Sequence, residues 1–189
     1  MEQNRKRKIV VGITGASATL LAINLLKTLE KNKEIETHVV VSESAKKVMT
    51  VENIDIKEIK KTADLYYENN DMAAPIASGS FLYDGLVIIP CSMNTLSEIT
   101  TGSAQNLITR VASVAIKERR KIILVVRETP LSSIHLENML KVTNAGAIIF
   151  PPNIALYYKP KTIDDVIQHF TGRILDLLRI ESDMKWRWS

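Results

Sequence analysis

The chain has 189 residues, 46% of them hydrophobic and 24% charged, the composition of an ordinary globular domain with a sizeable core. No apolar run approaches the roughly 18 residues that span a bilayer as a helix, so a membrane-spanning protein is not expected. The formal net charge is +4, and Arg5, Lys6, Arg7 and Lys8 carry as much, so the basic balance is a terminal feature and offers no clustered face for nucleic acid.

Taken in chain order, "KIVVGIT" (8–14) reads as a first strand, too short and glycine-broken for a signal peptide. "SATLLAINLLKTLEKN" (17–32) has apolar residues at three-to-four spacing and reads as a helix. "ETHVVVS" (36–42) is a second strand and "ESAKKVMTVEN" (43–53) a helix. Residues 54–84 are polar and weakly patterned. "GLVIIPCS" (85–92) is a third strand with a proline at its end, and 93–120 hold one or two helices with a break at Gly102. "KIILVV" (121–126) is a fourth strand, 132–146 a helix closed by glycine, and "AIIFPP" (147–152) a fifth strand. The last helix, 162–180, starts at Thr162 as cap, with Asp164 and Asp165 in its first turn where the helix dipole favours negative charge.

Alternating strands and helices with apolar strands predict an α/β, flavodoxin-like (Rossmann-like) three-layer fold, a parallel sheet between helices. One domain covers 1–189, with 1–7 as a basic tail and 181–189 as a C-terminal extension. In such folds ligands sit beyond the carboxyl ends of the strands. The polar motifs fall there: "TGAS" after the first strand, Ser42 after the second, "PCSMNT" after the third, "RETP" after the fourth and "PPNIALYY" after the fifth. A lone Cys91 permits no intrachain disulfide and fits a reducing cytoplasm. It reads as a small buried thiol, since no suitably spaced histidine supports a nucleophile. His38, His135 and His169 lack metal-ligand spacing, so no metal site is expected.

"GITGAS" (12–17) lacks both GxGxxG and the lysine of a Walker A loop. Its glycine and serine suit a phosphate at a helix start, and equally a glycine turn with a serine cap. "PCSMNT" (90–95) is a second such turn. Two of them suggest one phosphorylated ligand, such as a mononucleotide, bound across the strand ends. Arg110 and Lys117, seven residues apart, share one helix face, which alone is more often a solvated basic stripe. With Arg127 and Arg173, four cations could converge on a phosphate monoester. Glu128 beside Arg127 then reads as a carboxylate that handles protons among cations.

The stretches "GITGAS", "APIASGSF", "PCSMNTL", "NLITRVASVAIKERRKIILVVRETPLSSIHLENML" and "GAIIFPP" with "YYKP" together resemble the flavin prenyltransferases, the UbiX/Pad1 family, from about Lys8 to Ile180. The resemblance implies FMN, in its reduced form, as the acceptor of a dimethylallyl group from dimethylallyl monophosphate. It also implies a UbiD-type decarboxylase as recipient of the prenylated FMN, and a homo-oligomer, usually a dodecamer. By matching position it assigns the flavin to Gly15, Ala16, Ser17, Ser42, Ser92, Met93, Asn94, Thr95 and Arg127. It assigns the prenyl phosphate to Ser78, Arg110, Lys117, Arg127, Glu128, Tyr157 and Arg173, and catalytic work to Ser17, Glu52, Lys117, Arg127 and Glu128. The chain departs from common family members at Ala18, Glu43, Met72 and Asn94, and Trp186 and Trp188 are candidates for aromatic cover of the prenyl group. Flavin-dependent cysteine decarboxylases share the fold but use a histidine on an early helix, which the helix at 17–32 lacks. A non-catalytic FMN carrier, or a flavodoxin-like electron carrier, would not need the second set of phosphate-binding cations.

Overall fold

The computed structural model describes residues 5–182. Its centre is a parallel sheet of six strands: β1 (Arg7–Ile13), β2 (Ile35–Val41), β3 (Leu65–Glu68), β4 (Gly85–Cys91), β5 (Ile122–Val126) and β6 (Ile148–Ile149). The strand order is β3-β2-β1-β4-β5-β6. β4 and β5 are buried along their whole length, as strands covered on both faces must be. The α/β, flavodoxin-like expectation holds, with one strand more than the sequence suggests.

Among the described residues seven α-helices flank the sheet: α1 (Thr19–Glu30), α2 (Glu43–Val51), α3 (Ile56–Thr62), α4 (Met93–Thr101), α5 (Leu107–Lys117), α6 (Ser133–Asn144) and α7 (Ile163–Leu178), with a single 3-10 turn at Pro75–Ala77. Leu21, Ala22, Leu25, Leu26 and Leu29 form the buried stripe of α1. Gly102, at φ 74°, closes α4, so 93–120 form two helices. Thr162 caps α7 in a reciprocal box with Asp165. None of the described helices is long and apolar enough to cross a membrane.

Two regions differ from the sequence reading. Residues 54–84 contain α3, which buries only Ile59, and β3, an edge strand with no fully buried residue. Short polar edge strands carry little hydrophobic signal. The expected fifth strand shrinks to the two residues of β6, after which 150–162 run without regular structure. The expected basic tail is also partly anchored. Arg7 starts β1 and donates to the carbonyls of Leu178 and Arg179, completing the C-terminus of α7. Arg5 pairs with Asp84 at 3.2 Å.

The helices divide between the faces. α1 and α7 pack on the side of Ile9, Val11 and Val87. α4 and α5 pack on the opposite side, against Val10, Ile88 and Leu124. From β1 the chain builds outward to β2 and β3, then returns to place β4 on the other flank of β1. This reversal opens a crevice at the carboxyl ends of β1 and β4, where ligands of such sheets bind.

Candidate active site

Thr14 holds the crevice together. It is buried, donates from its hydroxyl to the Pro90 carbonyl at 2.8 Å, and accepts from the Ser92 N–H at 2.8 Å. The first and third ligand-edge turns are thereby locked. The second is joined by Ser42 N–H to Ile13 O at 3.0 Å, and the fourth by Arg127 N–H to Cys91 O at 3.2 Å. Gly15, Ser42, Ser92 and Arg127 therefore share one edge. Thr14 was not among the expected site residues, although it lies inside "GITGAS".

Gly15 is required for space rather than for a tight turn. A Cβ there would lie 2.5 Å from the Cβ of Ser44, so the β1–α1 loop runs hard against the start of α2. Ser42 and Ser92 act as N-caps, accepting from Ala45 N–H and Thr95 N–H. The start of α1 is different. Ser17 does not cap it. The Glu52 carboxylate, at the end of α2, accepts from Ser17 Oγ at 2.7 Å, Ala18 N–H at 2.7 Å and Thr19 N–H at 3.1 Å. Burial pushes the Glu52 pKa up, but these hydrogen bonds outweigh it and hold the carboxyl below its usual range. An anion thus already holds the first N–H groups of α1, whereas the starts of α2 and α4 carry serine caps.

Arg127 and Glu128 follow the end of β5. The Nε of Arg127 is buried and has no hydrogen-bond partner, an unused donor at the ligand edge. Glu128 is exposed, and its Oε1 accepts from Thr129 N–H at 2.9 Å. Asn94 donates to Glu98 at 2.7 Å, and Glu98 in turn accepts from Asn106, the cap of α5. The departure at Asn94 therefore has a local partner. Glu43 likewise pairs with Lys46. Met93 is half-buried beside the core, and Met72 is exposed. Burial pushes the Cys91 thiol up to about 12, which leaves it inert as a nucleophile.

The four expected cations do not converge within one chain. Ser78, Arg110 and Lys117 form one group: Arg110 Nε donates to Ala77 O at 3.0 Å, and Lys117 lies against Gly79 and pairs with Glu118. Lys117 ends α5 just before β5 begins, whereas Arg127 follows the strand's end, about 17 Å further on. Tyr157 and Arg173 form another group around His169, whose pKa is lowered by burial and by the Arg173 charge. That group sits with α7, on the opposite side of the sheet from α5. Trp186 and Trp188 lie outside the described residues.

The edge fits an FMN. Two serine-capped helix starts suit a phosphate, Gly15 lets backbone approach closely, and the Arg127 Nε awaits an acceptor. The Flavoprotein family model matches residues 1–175. The flavin prenyltransferase UbiX of Methanocaldococcus jannaschii is 51% identical over 96% of this chain and 98% of its own.

This chain belongs to the flavin prenyltransferase family. PAD1, the mitochondrial flavin prenyltransferase of Saccharomyces cerevisiae, is 47% identical over 97% of this chain and 76% of its own. A crystal structure of AnUbiX with FMN and dimethylallyl pyrophosphate superposes with a TM-score of 0.95 at 46% identity, covering 98% of each chain. A dodecameric FMN-dependent UbiX-like decarboxylase from Escherichia coli O157:H7 gives 0.93 at 43% identity, covering 96% of this chain and 99% of the other. A PPC decarboxylase, at 21% identity and a TM-score of 0.66 over 79% of this chain and 84% of its own, is similar in fold alone. The flavin prenyltransferase is thus a transferase acting on FMN, and the cysteine-decarboxylase reading is not favoured.

Proposed function

We propose that this chain joins a dimethylallyl group from dimethylallyl monophosphate to reduced FMN, forming bonds at flavin N5 and C6. The observation that carries this reading is the unpartnered Arg127 Nε beside Glu128 at a flavin-binding strand edge, in a chain 51% identical to a flavin prenyltransferase. Reduced FMN supplies the electron-rich atoms that accept the allyl group, so no side-chain nucleophile is needed.

The protein's work is electrostatic and steric. Arg127 bridges the flavin and the donor phosphate. Arg110, Lys117 and Arg173 stabilise the charge that builds on the departing phosphate. Ser78 and Tyr157 donate to its oxygens. Glu128, directly or through the released phosphate, delivers a proton to the remaining double bond as it closes on C6 and takes up the proton that C6 loses. Ser17 and Glu52 orient the flavin edge and relay protons.

Because the cation groups occupy opposite faces of one protomer, we assign a complete site to a homo-oligomer, with a dodecamer as the assembly. One copy offers Arg127 and Glu128, and neighbours offer Ser78, Arg110 and Lys117, or Tyr157 and Arg173. Prenylated FMN leaves for a UbiD-type decarboxylase, in the cytoplasm. The test is anaerobic turnover with reduced FMN and either dimethylallyl monophosphate or dimethylallyl diphosphate, followed by mass spectrometry. Phosphate release with a flavin heavier by one prenyl group is expected. Unmodified FMN on a folded, flavin-loaded protein would overturn the reading.

A further inference from the structure

The segment that carries Ser78 is gripped by side chains from α5 and the turn after it. Arg110 holds the Ala77 carbonyl. Arg120 donates from one terminal nitrogen to Gly79 O and from the other to Phe81 O at 2.8 Å. Its guanidinium carbon lies 4.3 Å from the centre of the Tyr83 ring. The Tyr83 hydroxyl donates to Val111 O, inside α5, at 3.1 Å. Arg120 thus links the loop backbone, the Tyr83 ring and, through that ring, α5. Ser78 sits between two carbonyls, those of Ala77 and Gly79, each fixed by an arginine. The loop also passes so close to Lys117 that a Cβ on Gly79 would lie 2.9 Å from its ammonium nitrogen.

These contacts call for arginine in particular. A planar fork can reach two carbonyls two residues apart while its face stacks on an aromatic ring, and a lysine can do only part of this. In the sequence Arg120 looks like one cation of the basic run 117–121. We propose that Arg120 is a positioning residue for prenyl-donor binding. Its fork fixes the backbone of residues 77–81 so that the Ser78 hydroxyl and the Lys117 ammonium face one donor phosphate. The inference rests on the reading above that Ser78 and Lys117 meet that phosphate.

The test uses Arg120→Lys, with Ser78→Ala and the double variant as references, all flavin-loaded and assayed with dimethylallyl monophosphate. Arg120→Lys is expected to raise the KM for the donor about tenfold, as losing one hydrogen bond from a charged donor does. FMN affinity and the melting temperature should hold, and kcat should fall by no more than about twofold. Ser78→Ala should raise KM similarly and add little in the Arg120→Lys background, because both act on one contact. A raised KM for Ser78→Ala with an unchanged KM for Arg120→Lys overturns the role of Arg120 and leaves the donor site standing. An unchanged KM for Ser78→Ala removes Ser78 from the donor site, and this inference with it. A parallel loss of FMN affinity and melting temperature in Arg120→Lys makes the residue structural only and also overturns the proposal.

Discussion

The Glu52 carboxylate accepts the Ser17 hydroxyl at 2.7 Å and, with the same group, the first N–H groups of α1. One side chain therefore caps a helix and orients a hydroxyl at the flavin edge. Glu52→Gln keeps the shape but loses the charge that complements the helix dipole. It should destabilise the fold by about 1 kcal/mol, the usual value of a cap, and slow prenyl transfer. The effect has a pH signature. Folding lowers the Glu52 pKa below its ordinary 4.5, so its stabilisation is present above that value and is lost as pH falls through the folded-state pKa. Denaturant unfolding should separate wild type from Glu52→Gln at pH 7 and bring them together in strong acid.

Ala18 is the N-cap of α1 at φ 83° and ψ 38°, a left-handed conformation that suits glycine. Ala18→Gly relieves roughly 1–2 kcal/mol of backbone strain and gives back part of it to the freer unfolded chain. A net gain of about 0.5–1 kcal/mol is expected, read as a higher melting temperature with FMN affinity unchanged.

Gly15→Ala should do the opposite. The added methyl would meet Ser44 Cβ at 2.5 Å and the Ser44 carbonyl carbon at 3.2 Å, and that backbone cannot yield without moving α2. A loss of about 1–3 kcal/mol is expected, as for overpacked cores, together with weaker flavin binding. Calorimetry and flavin fluorescence measure the two effects.

Arg127→Ala and Glu128→Gln should separate. Arg127 offers a buried, unpartnered Nε to the ligand edge, so its loss should weaken FMN binding by about 1.5–3 kcal/mol, the range for hydrogen bonds to charged groups. Glu128 is exposed beyond it. Glu128→Gln should leave flavin binding intact and slow prenyl transfer. Flavin titration and single-turnover kinetics distinguish the pair.

Lys117 and Glu128 lie at opposite ends of β5 in one chain. Lys117→Ala and Glu128→Gln, each slowed alone, should regain activity when mixed and reassembled, because some sites then draw Glu128 from a Lys117→Ala copy and Lys117 from a Glu128→Gln copy. No recovery after demonstrated subunit exchange would place both residues of a site on one protomer.

Much of this was legible along the chain. "IILVVRETP" announces a buried strand that ends in two charges, and β5 with Arg127 and Glu128 follows that reading. Thr162 and Asp165 announce the start of α7, and the box is present. Other features were not legible for physical reasons. β3 is an exposed edge with no apolar alternation to detect. Glu52 reaches Ser17 across 35 residues, and no local pattern reports a contact made by packing α2 against the start of α1. Arg120 reads as one of several solvated cations until the loop it holds is folded against it.

The alternation of strands and helices, and with it the edge on which the polar turns gather, is written along the chain. Side-chain periodicity and turn chemistry are local, so they survive in one dimension. The face of the sheet that each cation occupies emerges only once the strands have packed. A helix's apolar stripe says which of its sides meets the sheet but not which side of the sheet it covers. That depends on strand order, which the handedness of each crossover converts into a face. Strand order is fixed by how the buried strands pack around β1, and this is why Arg110 and Arg173, both expected at one phosphate, lie on opposite sides of the protomer.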